Sequence, residues 1–159
     1  MGKTSAGLLM YRIRGGRTEV LLAHPGGPFW KNKDAGAWSI PKGEVADGED
    51  PLAAARREFV EELGTSAGDG PFAPLPPVKQ RGGKTVLAWA CAGDLDAAVI
   101  RSNSFTMEWP PRSGKQVEFP EIDRAEWFDL PTAATKINPA QAALLAAVPG
   151  SDNGPNPAD

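Results

Sequence analysis

Glu58, Glu61 and Glu62 lie within five residues of one another in the run Ala-Arg-Arg-Glu-Phe-Val-Glu-Glu-Leu-Gly, residues 55–64, downstream of Gly43 and Glu49. Positions three and four apart are neighbours on a helix, so the three carboxylates share one face. Like charges so placed repel each other by a few tenths of a kcal/mol per pair. From Gly43 to Glu62, seven acids face only Arg56 and Arg57, a local net charge of −5 against −3 for the whole 159-residue chain. A polyphosphate could not approach such a surface unaided. Hard cations bridging carboxylate and phosphate oxygens solve that problem, and an all-oxygen donor set favours Mg²⁺ or Mn²⁺ over Zn²⁺. The bland alternative is a solvated acidic helix with internal ion pairs such as Arg57–Glu61.

The element that carries these acids is well marked. Asp50 has the side chain of an N-cap, and Pro51 follows where a missing N–H costs nothing. Leu52 to Leu63 consists mostly of good helix formers, and Gly64 suits the residue that ends the helix. At about 100° per residue, Leu52, Phe59 and Leu63 point toward a core, with the glutamates on the adjacent face.

The segment from Gly43 to Gly64 resembles the Nudix box. Gly43, Glu49, Arg57, Glu58, Phe59, Glu61, Glu62 and Gly64 stand at the matching positions, and Thr65 replaces the usual Ile, Leu or Val at a packing position. The resemblance implies that Glu58 and Glu62 are the principal metal ligands and that Glu61 is a ligand or a contact to metal-bound water. It makes Glu49 and Arg57 a buried pair locking loop to helix, and Gly43 a tight turn whose carbonyl can face a metal. The implied fold is α/β, an α/β/α sandwich around a mixed sheet.

Three further stretches bear on a site. His24-Pro-Gly-Gly-Pro-Phe-Trp-Lys31 is a glycine-rich loop in which Phe29 or Trp30 is a candidate for stacking on a nucleobase; a structured turn is the competing reading. His24 is the only histidine, which excludes a histidine base or a histidine-built zinc site. Lys42, just before the box glycine, is a candidate phosphate contact or a solvated lysine. In Glu118-Phe-Pro-Glu121-Ile-Asp-Arg-Ala-Glu-Trp127, family members place an added glutamate as metal ligand or base. Glu121 is the first candidate and Glu118 the second, a glutamate of the box itself is the alternative base, and Arg112 and Lys115 are possible substrate-facing cations on the same loop.

The coarse layout fits. Residues 4–13 and 18–25 read as strands joined at Gly15-Gly16, followed by a short strand at 38–40. Residues 86–92 and 126–130 read as strands, with another near 97–108, and a capped helix runs from Asn138. Residues 1–148 read as one Nudix domain, and the turn-rich tail from Pro149 is expected to be disordered. Cys91, the single cysteine, sits in an apolar run and reads as core packing. The mild acidity argues against a nucleic-acid surface, no apolar run reaches membrane-spanning length, and the N-terminus does not resemble a signal peptide. The expectation is a cytoplasmic protein, monomer or homodimer, with a small nucleotide substrate.

The implied activity is Mg²⁺- or Mn²⁺-dependent hydrolysis of a phosphoanhydride in a nucleoside diphosphate linked to another moiety: an NTP, a dinucleoside polyphosphate or an ADP-ribose-like compound. The chain most resembles small bacterial proteins described as NTP pyrophosphohydrolases. No coenzyme A signature precedes the box, and no proline after it is convincingly placed for ADP-ribose. Tyr11 is the only tyrosine, so the downstream tyrosine of some dinucleoside polyphosphate enzymes is missing. Two rival classes remain, a catalytically silent nucleotide sensor and an interaction module.

Overall fold

The computed structural model describes residues 3–149. Two long strands, β1 (Thr4–Arg14) and β2 (Arg17–Pro25), form an antiparallel pair. Their turn is made by Gly15 and Gly16, both with positive φ, a conformation glycine adopts without steric cost. The box opens on β3 (Lys42–Glu44) and continues into α1 (Pro51–Leu63). Then come β4 (Ala73–Pro74), β5 (Val78–Lys79), β6 (Thr85–Ala92), the hairpin β7 (Ser104–Glu108) and β8 (Gln116–Pro120), and β9 (Ile122–Asp129). Helices α2 (Leu130–Lys136) and α3 (Ala143–Ala147) follow.

The main sheet runs β4-β6-β1-β2-β9, with β3 beside β1 and β5 beside β6. It is mixed, because β1 and β6 are parallel while β1–β2 and β2–β9 are antiparallel. The near-continuous apolar character of β1 and β2 follows from burial on both faces. Leu8, Met10, Leu21 and Ala23 pack with Ala54, Ala55, Phe59 and Leu63 of α1. Leu9, Val20 and Leu22 point the opposite way, onto a core with Ala133 of α2 and Leu144 and Leu145 of α3. The result is the α/β/α sandwich around a mixed sheet.

Helix α1 is built as its sequence dictates. The Asp50 side chain accepts from the Ala53 amide at 3.0 Å, and Gly64 is left-handed with φ 81°. Leu52 is half-buried, and Phe59 and Leu63 are fully enclosed.

Three local expectations are refined. Residues 38–40 make single bridges, Ala23 with Ser39 and Trp38 with Ile137, and the regular strand starts beyond Pro41; proline has no N–H to give a ladder. The helix expected from Asn138 divides into a 3₁₀ turn, Pro139–Gln141, and α3. At that division Gln141 is wholly buried, accepting from the Ile40 amide and donating to Ser39 and Gln80. The 126–130 strand ends at Asp129, whose carboxylate caps α2 on the Thr132 amide. The tail expected to be disordered lies, beyond Pro149, outside the described residues. Among the described residues, no helix is long and apolar enough to cross a membrane.

Candidate active site

The acids of the box are held from two sides. Arg57 grips Glu49 with two hydrogen bonds, Nε to Oε2 at 2.9 Å and Nη2 to Oε1 at 3.0 Å. The Ala46 amide donates to Glu49 at 2.9 Å, and Arg57 Nη2 donates to the Glu44 carbonyl. The 44–50 loop is thereby fastened to α1. Arg57 and its backbone amide partner hold the Glu49 carboxyl down at about 2. The pair is partly exposed rather than buried, with the Arg57 side chain 39 % accessible. The remaining Arg57 nitrogen, Nη1, donates to Glu58 at 2.8 Å and Glu61 at 3.2 Å.

Gly43 lies in β3 opposite Ala6, not in a tight turn. Its lack of a side chain is used differently: a Cβ there would fall inside the Glu58 carboxylate. Glycine lets strand and acid touch.

Glu62 is the most enclosed of the acids, with its residue 8 % exposed. It lines a cavity of about 200 Å³ together with Lys42, Glu121, Ser39 and Ile122. Burial pushes its carboxyl up to about 8, Glu58 and Glu121 add to the rise, and the Lys42 amide and ammonium oppose it. Burial likewise raises Glu58, with Glu61 and Glu121 contributing against the pull of Arg57. The Lys42 ammonium is lowered, first by burial and then by nearby Lys84, while Glu62 and Glu58 pull it up.

Glu121 comes from the β8–β9 junction, 59 positions past Glu62 in sequence. Its place is set by main-chain bonds. The Asn103 amide donates to the Glu61 carbonyl of α1 at 2.9 Å, and the Glu121 amide donates to the Asn103 carbonyl at 2.9 Å. The Gly26 amide donates to the Glu121 carbonyl at 2.8 Å. Asn103 therefore bridges the box helix and the distant acid. Burial first, then Glu61, raises the Glu121 carboxyl.

Other sequence candidates lie elsewhere. Glu118 is exposed on β8 opposite Thr106. Trp30 is 41 % exposed and lines neither this cavity nor the aromatic cleft beside it. Arg112, with φ 64°, and Lys115 sit at the exposed tip of the β7–β8 hairpin. His24 is buried, with Nδ1 2.8 Å from Asp123 Oδ1 and Nε2 2.6 Å from the Lys33 carbonyl, so both ring nitrogens are committed to structure. Burial lifts the Cys91 thiol to about 11, in keeping with core packing.

Among the described residues, no three His, Cys, Asp or Glu side chains converge as a preformed metal cage. Arg57 Nη1 holds Glu58 and Glu61 to one side. The donor set nevertheless fits a hard divalent cation: Glu58, Glu61, Glu62 and Glu121 offer only carboxylate oxygens. Three of those carboxyls are raised by burial and by neighbouring acids of the set, a destabilisation that positive charge relieves.

The box pattern and this geometry match a known family: residues 3–148 fit the NUDIX domain. The chain belongs to the NUDIX family. Solved structures share its fold. An Ap4A hydrolase binary complex from C. elegans is 23 % identical, with a TM-score of 0.63 over 89 % of this chain and 92 % of that one. The NUDIX domain of Shewanella oneidensis NrtR, complexed with ADP ribose, is 11 % identical, with a TM-score of 0.59 over 89 % and 82 %. By sequence, the chain is 29 % identical over 124 residues to an octanoyltransferase of Myxococcus xanthus. That match takes in 78 % of this NUDIX chain but spans only 30 % of the relative's length.

Proposed function

We propose that the protein hydrolyses a phosphoanhydride bond in a nucleoside diphosphate linked to another moiety, with Mg²⁺ or Mn²⁺ as cofactor. The observation that carries this reading is the convergence of Glu62 and Glu121, far apart in sequence, in one small cavity beside Lys42. Buried acids that raise one another are costly unless a positive charge meets them. Glu58, Glu61 and Glu62 are the residues to hold the cation, and Gly43 leaves backbone within reach. A divalent ion bound there supplies neutralisation of the diphosphate and a water of lowered pKa.

The chain's own groups divide the remaining work. Lys42, half-buried on the cavity wall, offers its ammonium to a phosphate oxygen as a point charge. Arg57 orients Glu58 and Glu61 through Nη1. A carboxylate oxygen of Glu121 takes the proton from the attacking water, its raised affinity for a proton suiting that role. The products are a nucleoside monophosphate and the other phosphorylated half.

One neighbour is an Ap4A hydrolase and another is complexed with ADP ribose, which motivates a nucleotide substrate. The test is turnover on a panel of dinucleoside polyphosphates, ADP-ribose, NADH, nucleotide sugars and NTPs, each with Mg²⁺, Mn²⁺ or EDTA. Metal-dependent cleavage of one class, lost in Glu62→Gln, supports the hydrolase. Tight nucleotide binding with no cleavage of any class overturns it in favour of a silent sensor.

A further inference from the structure

The β7–β8 hairpin stands apart from the main sheet as a two-stranded unit. Its register pairs Phe105 with Phe119 and Met107 with Val117, so one face is apolar and the alternate positions are exposed. That face is not laid on the sandwich core. It meets the 26–31 loop, where Gly27 leaves room for the Phe105 ring and Phe29 stands edge-on to Trp109 at 5.6 Å and 82°.

Between loop and hairpin lies a cleft of about 480 Å³, within the usual range for small-molecule pockets of roughly 300–1,000 Å³. Trp109, Phe119 and Pro28 give it a mainly apolar wall, and Lys31 and Asp123 are its charged groups. We propose that this cleft is the nucleobase subsite, with Trp109 and Phe119 as the surfaces on which the base stacks. The proposal rests on the hydrolase reading above and adds where the non-phosphate half of the substrate is held.

Three observations converge on a planar heterocycle as the occupant. First, the cleft and the catalytic cavity share a wall. Pro25, Glu121 and Ile122 line the cavity, while Pro120 and Asp123, which flank Glu121 and Ile122 in the chain, and Gly27, two residues past Pro25, line the cleft. A molecule with its diphosphate at Glu62 has the cleft next to it across the 120–123 segment, whose residues line both. Second, the aromatic wall is fixed before binding: Phe29 braces Trp109, and Phe105 lies 6.0 Å from Phe119. Rigid walls cut the ordering cost of binding. Third, a base carries hydrogen-bond donors and acceptors on its edge, and the cleft offers one group of each kind. Asp123 accepts and Lys31 donates. The Asp123 carboxylate is held by His24, itself tied to the Lys33 carbonyl.

The test is binding to the metal-free, ¹⁵N-labelled full chain, with AMP and ribose 5-phosphate as probes, so that it does not depend on turnover. AMP is expected to shift the Trp109 indole N–H and the Gly27 and Lys31 amides, and ribose 5-phosphate is not. Stacking on one aromatic is worth enough that Trp109→Ala should weaken AMP binding about tenfold, with Trp109→Phe restoring most of it. Phe119→Leu gives the same readout should Trp109→Ala fail to fold. In turnover, Trp109→Ala should raise KM for a nucleotide substrate far more than it lowers kcat. Equal shifts from both probes, or unchanged AMP affinity in Trp109→Ala and Phe119→Leu, overturn the subsite. AMP shifts at Trp109 in a protein that cleaves nothing would retain the subsite and remove the hydrolase.

Discussion

Arg57 holds Glu49 by two parallel hydrogen bonds, at 2.9 and 3.0 Å, across the gap between the 44–50 loop and α1. This fork geometry fixes both partners, and it leaves Nη1 free to reach Glu58 and Glu61. One guanidinium therefore sets the loop and two of the acids together.

That pair has a pH signature. The Glu49 carboxyl is lowered from an ordinary 4.5 to about 2, so its contribution to stability is fully present above pH 4.5. It is lost as pH falls from there toward 2, because protonation breaks the pairing. Urea midpoints should show the wild type more stable than Glu49→Gln at pH 6 and the difference shrinking below pH 4.5. A difference that stays constant from pH 6 to pH 2.5 would show that Glu49 acts as a neutral spacer.

Glu62→Gln separates function from folding. Removing a buried carboxylate that burial, Glu58 and Glu121 all disfavour should leave the metal-free protein at least as stable as wild type. Turnover should fall by more than about 100-fold, as loss of transition-state charge stabilisation commonly does. Thermal melts with EDTA and rates with saturating Mg²⁺ check the two halves. Near-full turnover would remove Glu62 from the metal site.

Gly43→Ala tests the contact between strand and acid. Its methyl group would occupy the space of the Glu58 carboxylate, displacing Glu58 or β3. A cost of about 1–3 kcal/mol is expected from such overpacking, with a loss of activity larger than the loss of folded protein. Equal activity per folded molecule would mean that Glu58 tolerates displacement.

Glu121→Gln and Glu118→Gln discriminate the two loop acids. Glu121 lines the cavity with Glu62 and Glu118 is exposed on β8. As the proton acceptor, Glu121 should cost about 100-fold or more in kcat when made Gln, and Glu118→Gln should leave kcat close to wild type. Saturation kinetics on the best substrate decide; the reverse ranking would move the base to Glu118.

Much of the site was legible because it is local. The Asp50 cap, Pro51, the helical spacing of Glu58, Glu61 and Glu62, and Gly64 each act within a turn or two of their own position. A further local signal is of the same kind: Asp129 followed by Pro131 repeats the Asp-cap and early-proline pattern of α1, although the strand that runs directly into it masks the helix start.

By itself the sequence determined the acid-bearing helix, its caps, the strand pair at Gly15-Gly16 and the family. Tertiary structure alone decided that Glu62 is buried while Glu61 is half-exposed, since their difference arises from the sheet packed against α1 rather than from either residue. It also decided that Gly43 serves as space for Glu58, that Asn103 links Glu61 to Glu121, and that Trp109 rather than Trp30 lines a cleft beside the acids. Each of these depends on segments separated in sequence being brought into contact. Helical periodicity reports one element's own faces, and it carries no record of what another element lays against them.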